Sequence, residues 1–232
     1  MNPQCPAALR RAWRLPLAIS LASVLPDPAL CYVTNRDQTG GRPLDVVTEA
    51  AVDGGVNMVQ LRERDLPGGH LLNWAFRLRQ ITAGKALFIV NDRIDIAMLS
   101  GADGVQLGEE GIKVRDVRRI AGNLLLLGRS VHSVDSAKIA GWEGADFLVV
   151  GTIFPTGSHP GGVTAGPELI SEIRDATEIP ILAIGGIDDT NIQQVMAAGA
   201  GGAAVITAIS RRPDPESAAR TLLSLMSKHD DN

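Results

Sequence analysis

Short apolar runs alternate with amphipathic segments along the chain from Leu30 onward. Short apolar runs predict buried β-strands, and the longer amphipathic segments between them predict α-helices. The predicted strands are residues 30–34, 58–61, 87–90, 104–107, 124–128, 147–150, 181–184 and 203–206. The predicted helices are residues 44–53, 71–82, 94–100, 114–121, 135–141, 167–175, 190–198 and 215–227.

This order of elements predicts an α/β fold with a parallel sheet. Eight repeats of a strand followed by a helix predict a single (β/α)8 TIM barrel. An open doubly wound sheet is the main alternative, but the chain lacks the glycine-rich dinucleotide fingerprint of that fold. We therefore expect residues 30–232 to form one barrel domain.

Residues 1–29 have a different pattern, in which three arginines precede an apolar run. Secretory leaders share this pattern. Pro16 interrupts the run, and cleavage near Ala29 would trim the chain right up to the first strand. We therefore favour a poorly ordered N-terminal extension, and we expect no membrane association because no segment approaches the ~20 apolar residues of a membrane span.

Composition and charge exclude several classes of function. The 232 residues are 45% apolar and 21% charged, which is typical of a globular protein. A net charge of −4 offers no basic surface for coating nucleic acid, so we expect no nucleic-acid partner. The two cysteines, Cys5 and Cys31, are too few to stabilise the fold by a disulfide framework, and they lack the spacing of zinc ligands. Both observations favour a reducing cytoplasm.

Barrel enzymes carry their chemistry at the carboxyl ends of the strands. Glycine-rich or hydroxyl-rich turns after the last two strands commonly bind phosphate there, because backbone N–H groups close on its oxygens. The alternative is that the two glycines only permit a tight turn. The candidate phosphate-binding residues are Gly185, Gly186, Ile206 and Thr207, with Thr156, Ser158 and His159 on the preceding loop.

Two arginines follow the second predicted strand. Side chains alternate along a strand, so Gln60 and Arg62 are expected on the same side. A guanidinium that can fork onto phosphate or carboxylate suits an anionic substrate, which makes Gln60, Arg62 and Arg64 candidate substrate-binding residues. The alternative for Arg64 is an ion pair at the rim with Glu63 or Asp65.

Two further strands end in residues suited to catalysis. Asn91 is a candidate substrate contact and Asp92 a weak candidate ligand for a divalent cation, the alternative being that one of them caps the next helix. Ser130 and His132 flank Val131 and are expected to point the same way. Histidine side chains in general titrate near neutral pH, so His132 is the candidate proton shuttle, unless it only ends the strand or caps a helix.

Seven segments, in this order, resemble the superfamily of thiamine phosphate synthases and thiazole tautomerases. The resemblance covers residues 30–228. The segments are VQLRER (59–64), IVNDR (89–93), DGVQLG (103–108), GRSVHS (128–133), FPT (154–156), AIGGI (183–187) and AVITAI (204–209). The resemblance implies a phosphate-binding barrel that acts on carboxythiazole phosphate in vitamin B1 synthesis.

The two branches of this superfamily imply different chemistry. A synthase joins hydroxymethylpyrimidine diphosphate to thiazole phosphate and uses Mg²⁺, whereas a tautomerase moves a proton on the thiazole and requires no cofactor. The chain matches the synthase pattern at Gln60, Arg62, Asn91, Asp92 and Ser130. It departs from that pattern at Arg64 and His159, which stand for lysines, and at Gly111, which stands for a metal-binding aspartate that Glu110 could replace.

We take the tautomerase as the leading interpretation, because GRSVHS (128–133) closely resembles that branch and puts His132 at its acid/base position, with Ser130 beside it. The synthase is the alternative, and Asn91-Asp92 looks more like that branch. Two further alternatives are a non-catalytic protein that binds thiazole phosphate and an unrelated phosphate-binding barrel enzyme. We expect the phosphorylated thiazole as the small-molecule partner, and self-association into a homo-oligomer.

Overall fold

The computed structural model describes residues 25–157 and 163–227. This part of the chain contains eight strands: β1 Ala29–Val33, β2 Met58–Leu61, β3 Leu87–Asn91, β4 Gly104–Leu107, β5 Leu126–Val131, β6 Phe147–Val150, β7 Ile181–Ile184 and β8 Gly202–Val205. The helices between and after them are α1 Leu44–Asp53, α2 Gly68–Thr82, α3 Ile94–Ser100, α4 Val114–Ala121, α5 Val134–Trp142, α6 Glu168–Ala176, α7 Ile192–Ala197, α8 Thr207–Ser210 and α9 Pro215–Met226.

The strands close into a barrel in chain order. Each pair of neighbours is parallel, and closure is made by β1, in which Tyr32 is in register with Val59 of β2 and with Val205 of β8. Parallel neighbours need a crossover, and the helices supply it on the outside of the barrel. The predicted (β/α)8 fold is confirmed.

The apolar side chains form two layers because successive residues of a strand point to opposite faces. On β2, Met58 packs inside the barrel, whereas Val59 and Leu61 pack between the strands and the helices. Gln60 lies on the inner side at the mouth and is only 5% exposed. Side chains of the inner layer, such as Phe147, fill the interior of the barrel. The open space therefore lies at the carboxyl ends of the strands.

Two features near the site differ from the prediction: the bounds of β5 and the presence of one additional helix, α8. β5 begins at Leu126 and runs on to Val131, because Ser130 and Val131 pair with Val149 and Val150 of β6. The polar side chains of Arg129 and Ser130 ended the predicted strand too early. The one-turn helix α8 was not predicted, since four residues are too few to show a helical period.

The N-terminal boundary lies close to the predicted one. β1 begins at Ala29, one residue before the predicted start of the barrel domain. Residues 1–24, which hold nearly all of the predicted extension, lie outside the described residues. Every helix in the described part of the chain is too short or too polar to span a lipid bilayer.

Candidate active site

A cavity of about 760 Å³ opens at the carboxyl ends of the strands. Loops after seven of the strands reach it, so residues far apart in sequence share one wall. Glu110 is exposed and is not among the lining residues, and Ser158 and His159 lie outside the described residues. The candidate residues that line the cavity are Gln60, Arg62, Arg64, Asn91, Asp92, Ser130, His132, Thr156, Gly185, Gly186, Ile206 and Thr207.

Amide side chains cross-link neighbouring strands at the floor of the cavity. Gln60 Nε2 donates to Asn91 Oδ1 at 2.9 Å, which joins β2 to β3. Gln106 of β4 donates through Nε2 to Ser130 Oγ at 3.1 Å and to the carbonyl of Leu107 at 3.3 Å. Because Ser130 accepts this bond, its own hydroxyl proton is available to a second partner. The sequence analysis did not single out Gln106, although the two-residue period of β4 points it inward.

Asp92 holds its carboxylate against the cavity wall. Its φ of 56° is in the left-handed region, which non-glycine residues rarely adopt. In this conformation Oδ1 accepts the Gly108 N–H at 2.9 Å and Oδ2 accepts Asn91 Nδ2 at 2.8 Å. The helix-capping alternative does not hold, because α3 has Arg93 at its N-cap and no side-chain capping bond.

Carboxylates that could hold a metal are few at this site. The described residues contain no group of three or more histidine, cysteine or acidic side chains arranged as metal ligands. On the loop after β4, Glu109 lines the cavity and the neighbouring Glu110 does not. A Cβ atom on Gly111 would lie 3.5 Å from Asp92 Oδ1, so the missing carboxylate of the synthase pattern falls directly beside Asp92.

The arginines after β2 face the cavity because a third arginine occupies their neighbouring carboxylates. Glu63 accepts the N–H of Arg36 at 3.1 Å and its Nη1 at 3.0 Å, and Asp65 also binds the Arg36 guanidinium. The alternative for Arg64, a rim pair with Glu63 or Asp65, is therefore not formed. Burial and the adjacent charge of Arg64 lower the pKa of Arg62, which marks a concentrated positive charge that an anion would relieve.

The glycines after β7 lie under close steric constraint. Gly185 and Gly186 have φ values of 102° and 65°. A Cβ atom on Gly186 would lie 2.5 Å from the carbonyl oxygen of Pro155, so the turn packs directly on the loop after β6. Thr156 of that loop and Thr207 after β8 line the cavity beside this turn. Backbone conformation alone thus requires both glycines, and phosphate binding by the turn stays a prediction.

His132 forms a close pair with Glu109 at the mouth. Its Nδ1 lies 2.5 Å from Glu109 Oε2. Partial burial raises the pKa of Glu109, but hydrogen bonds from His132 and Ser136 outweigh burial and hold that pKa below its usual value. Arg129 donates to the carbonyls of Glu109 and Ile112 and so fixes the same loop. Ser133, not His132, caps α5.

A closed parallel barrel with glycine and hydroxyl turns after β7 and β8, and with paired arginines after β2, has the features common among barrel enzymes that act on phosphorylated small molecules. Comparison with known proteins narrows this class. Residues 30–209 match the thiamine monophosphate synthase family, and the chain belongs to that family. The predicted resemblance is confirmed.

Individual relatives agree with this assignment. The chain is 44% identical over 202 residues to a putative thiamine-phosphate synthase of Geobacter sulfurreducens, covering 86% of this chain and 95% of the relative. It is 41% identical over 204 residues to the thiamine-phosphate synthase of Chlorobium limicola, covering 87% and 95%. The solved structure of a thiamine phosphate pyrophosphorylase from Pyrococcus furiosus superposes with a TM-score of 0.79 at 34% identity, covering 86% and 96%.

These relatives overturn the leading interpretation of the sequence. We expected a tautomerase, but the relatives at 41–44% identity are named synthases. The departures from the synthase pattern at Arg64 and Gly111 are compatible with synthase activity. Arg64 retains the positive charge and lines the cavity, and Mg²⁺ commonly takes only one or two carboxylates when substrate phosphates supply the other ligands.

Proposed function

We propose that the chain is a thiamine phosphate synthase. Hydroxymethylpyrimidine diphosphate and thiazole phosphate react to give thiamine phosphate and diphosphate. The bond between the pyrimidine methylene carbon and the diphosphate oxygen breaks, the diphosphate takes the electron pair, and the thiazole nitrogen forms the new bond to that carbon. This balance requires no proton shuttle, which removes the reason for a general acid or base at His132.

The observation that carries the proposal is that one cavity brings together two separate groups of residues suited to binding anions. Arg62 and Arg64 lie after β2, beside Asp92 after β3, whereas Gly186 and Thr207 lie after β7 and β8. A joining reaction between two phosphorylated substrates needs two such groups within reach of each other. The volume of about 760 Å³ lies in the upper half of the roughly 300–1,000 Å³ range of small-molecule sites.

The residues after β2 and β5 are suited to the departing diphosphate. Arg62 and Arg64 provide guanidinium donors whose charge stabilises the negative charge that develops on the leaving group. Ser130 accepts its bond from Gln106 and can direct its own proton to a phosphate oxygen. The Gln60–Asn91 amide pair offers donors and acceptors that orient a pyrimidine ring between the two anions.

The residues present also fit a magnesium ion. Asp92 is a cavity-lining carboxylate, and Mg²⁺ is usually bound by one or two carboxylates together with substrate phosphates. Asp92 would hold the ion with the diphosphate, and the ion would neutralise leaving-group charge. Gly108 and Asn91 hold the Asp92 carboxylate in place by hydrogen bonds to its two oxygens.

The test is a coupling assay on the purified full chain. With both substrates and Mg²⁺, we expect thiamine phosphate and diphosphate in equal amounts, and no product when either substrate is omitted. Thiamine phosphate is measured by fluorescence after oxidation, and diphosphate by an enzyme-linked assay. Isomerisation of carboxythiazole phosphate with no coupling, or tight binding of thiazole phosphate with no turnover, would contradict the proposal.

We also propose that the chain acts in the cytoplasm as a homo-oligomer. Cys31 is a buried free thiol whose pKa burial raises to about 12, in keeping with a reducing compartment. Self-association is supported by apolar side chains on two neighbouring helices, since Ile120 at the end of α4 is 68% exposed and Trp142 at the end of α5 is 80% exposed. Light scattering should give at least twice the 24.5 kDa chain mass, and a monomer mass would contradict self-association.

A further inference from the structure

The segment that begins at the last residue of α8, residues 210–213, is anchored by the guanidinium of Arg42 from the loop after β1. Arg42 Nη2 donates to the carbonyls of Ser210 at 2.7 Å and Arg212 at 2.8 Å, and Nη1 donates to the carbonyl of Pro213 at 3.1 Å. Ser210 Oγ donates to the carbonyl of Gln38 at 2.8 Å. The backbone of this segment is therefore fixed before any ligand binds.

The anchored segment presents two arginines to the cavity. Arg211 and Arg212 both line it, near the turns after β7 and β8. Arg212 forms an ion pair with Asp189 of the loop after β7. Within residues 25–157 and 163–227, Arg211 forms no ion pair with a carboxylate, so its guanidinium retains its donors for a ligand.

The local charge balance favours an anion at this end of the cavity. Asp188 also lines the cavity, but its Oδ1 accepts the N–H and hydroxyl of Thr190 at 2.9 and 2.6 Å. Asp189, which pairs with Arg212, does not line the cavity, so the charged side chains that line this end are Arg211 and Arg212 against Asp188. The surplus charge is positive.

We propose that Arg211 supplies the counter-charge for the phosphate of the thiazole substrate, and so selects the phosphorylated thiazole over the free alcohol. This inference rests on the proposed function. The cradle of Gly186, Thr156 and Thr207 offers neutral donors, which position a phosphate but do not balance its charge. A guanidinium can fork onto two phosphate oxygens, and Arg211 is the cavity arginine at this end without a carboxylate partner.

The test compares binding of the phosphate and the alcohol by calorimetry on the full chain. Arg211→Gln should weaken binding of thiazole phosphate about tenfold, as expected for one lost charge-assisted contact at a partly exposed site, and leave binding of the alcohol unchanged. Arg211→Lys keeps the charge but not the forked guanidinium, so its affinity for thiazole phosphate should fall only about two- to threefold. Added salt should weaken phosphate binding to the wild type more than to Arg211→Gln.

Arg119→Gln is the matched control, because this side chain is 83% exposed on the outer face of α4. It should bind both ligands as the wild type does. Equal affinity of the wild type and Arg211→Gln for thiazole phosphate would overturn the inference. So would an equal loss for the phosphate and the alcohol, because that would indicate a structural effect on the segment.

The coupling assay separates failure of this inference from failure of the proposed function. In that assay Arg211→Gln should raise the KM for thiazole phosphate about tenfold and leave kcat and the KM for the pyrimidine diphosphate unchanged. If the wild type forms no thiamine phosphate, the proposed function fails, while the calorimetric comparison still decides whether Arg211 recognises the phosphate. If coupling occurs and the KM does not change, only the role of Arg211 fails.

Discussion

Arg36 determines which way the arginines after β2 face. It takes the carboxylates of Glu63, which is 5% exposed, and of Asp65, both of which the local sequence offers equally well to Arg64. Glu63 is thereby held on the side away from the cavity, and the two-residue alternation turns Arg62 toward it. The two ion pairs of Arg36 at the rim thus leave Arg62 and Arg64 without these neighbouring carboxylates as partners.

At the same scale, Glu109 should contribute to stability in a pH-dependent way. Its pKa in the folded protein is lowered, so its contribution is present above the usual glutamate value and is lost as the pH falls through the folded value. Because the pair with His132 is partly exposed, Glu109→Gln should lower the free energy of unfolding at pH 7.5 by about 0.5–1 kcal/mol, and by much less at pH 3.5.

Denaturant unfolding at the two pH values measures this difference. Glu110→Gln is the matched control, since Glu110 is exposed and next in sequence, and it should leave the free energy of unfolding unchanged at both. An equal loss for Glu109→Gln at pH 7.5 and pH 3.5 would show that ionisation of Glu109 contributes nothing to stability.

At the scale of elements, the turn after β7 shows how packing of two loops restricts a sequence. Gly186 and Gly40 have nearly the same positive φ, 65° and 66°. A Cβ on Gly40 would meet nothing within 4 Å, whereas one on Gly186 would meet the carbonyl oxygens of Pro155 and Phe154 at 2.5 and 2.7 Å. The two positions therefore separate conformational strain from steric overlap.

Gly40→Ala should cost about 1–2 kcal/mol of unfolding free energy, which is the strain of a left-handed residue. Gly186→Ala should cost about 2–5 kcal/mol, because overpacking adds about 1–3 kcal/mol to the same strain. Thermal or denaturant unfolding of both variants checks the difference. Equal losses of unfolding free energy would mean that the loop after β6 shifts to accommodate the added Cβ atom at no cost. A loss of phosphate binding in Gly186 variants would not by itself identify a phosphate cradle.

At the scale of the whole molecule, closure of the barrel creates the site. β2 and β3 carry Arg62, Arg64 and Asp92, and β7 and β8 carry the glycine turn and Thr207, yet all open into one cavity. Neither half of the barrel contains both groups of candidate anion-binding residues. The distribution of charge within this cavity also determines when a metal ion binds.

We predict that Mg²⁺ alone binds weakly, in the millimolar range, because the described residues contain no group of three or more acidic, histidine or cysteine side chains that could hold a metal, and a hard cation with few ligands keeps its water. Inorganic diphosphate should strengthen Mg²⁺ binding, and Asp92→Asn should remove that gain. Gly111→Asp, whose Cβ would lie 3.5 Å from Asp92 Oδ1, should strengthen binding of Mg²⁺ alone. Calorimetry measures Mg²⁺ binding to the wild type with and without diphosphate, and to the Asp92→Asn and Gly111→Asp variants. Tight Mg²⁺ binding without diphosphate, lost in Asp92→Ala, would contradict this view.

Local pattern was enough to predict the barrel and much of the cavity lining. The limits of β2, β4, β6 and β7 match the predicted ones, because burial of alternate side chains appears directly in short apolar runs. The same alternation predicted that Gln60 and Arg62 share a side. The motif around His132, however, resembles the tautomerase branch although the relatives at 41–44% identity are named synthases, so this short motif did not decide between proton transfer and coupling.

Only the tertiary structure decided which polar groups meet. Gln106 and Ser130 are 24 residues apart, Arg36 and Glu63 are 27 apart, and Arg42 reaches carbonyls about 170 residues away. Local spacing determines which side of an element a side chain occupies, and so the sequence by itself determined the barrel and its inward-facing positions. A hydrogen-bond partner depends on which distant segments closure of the barrel brings together. For that reason only the tertiary structure decided how residues 210–213 are anchored and that the two groups of candidate anion-binding residues share one cavity.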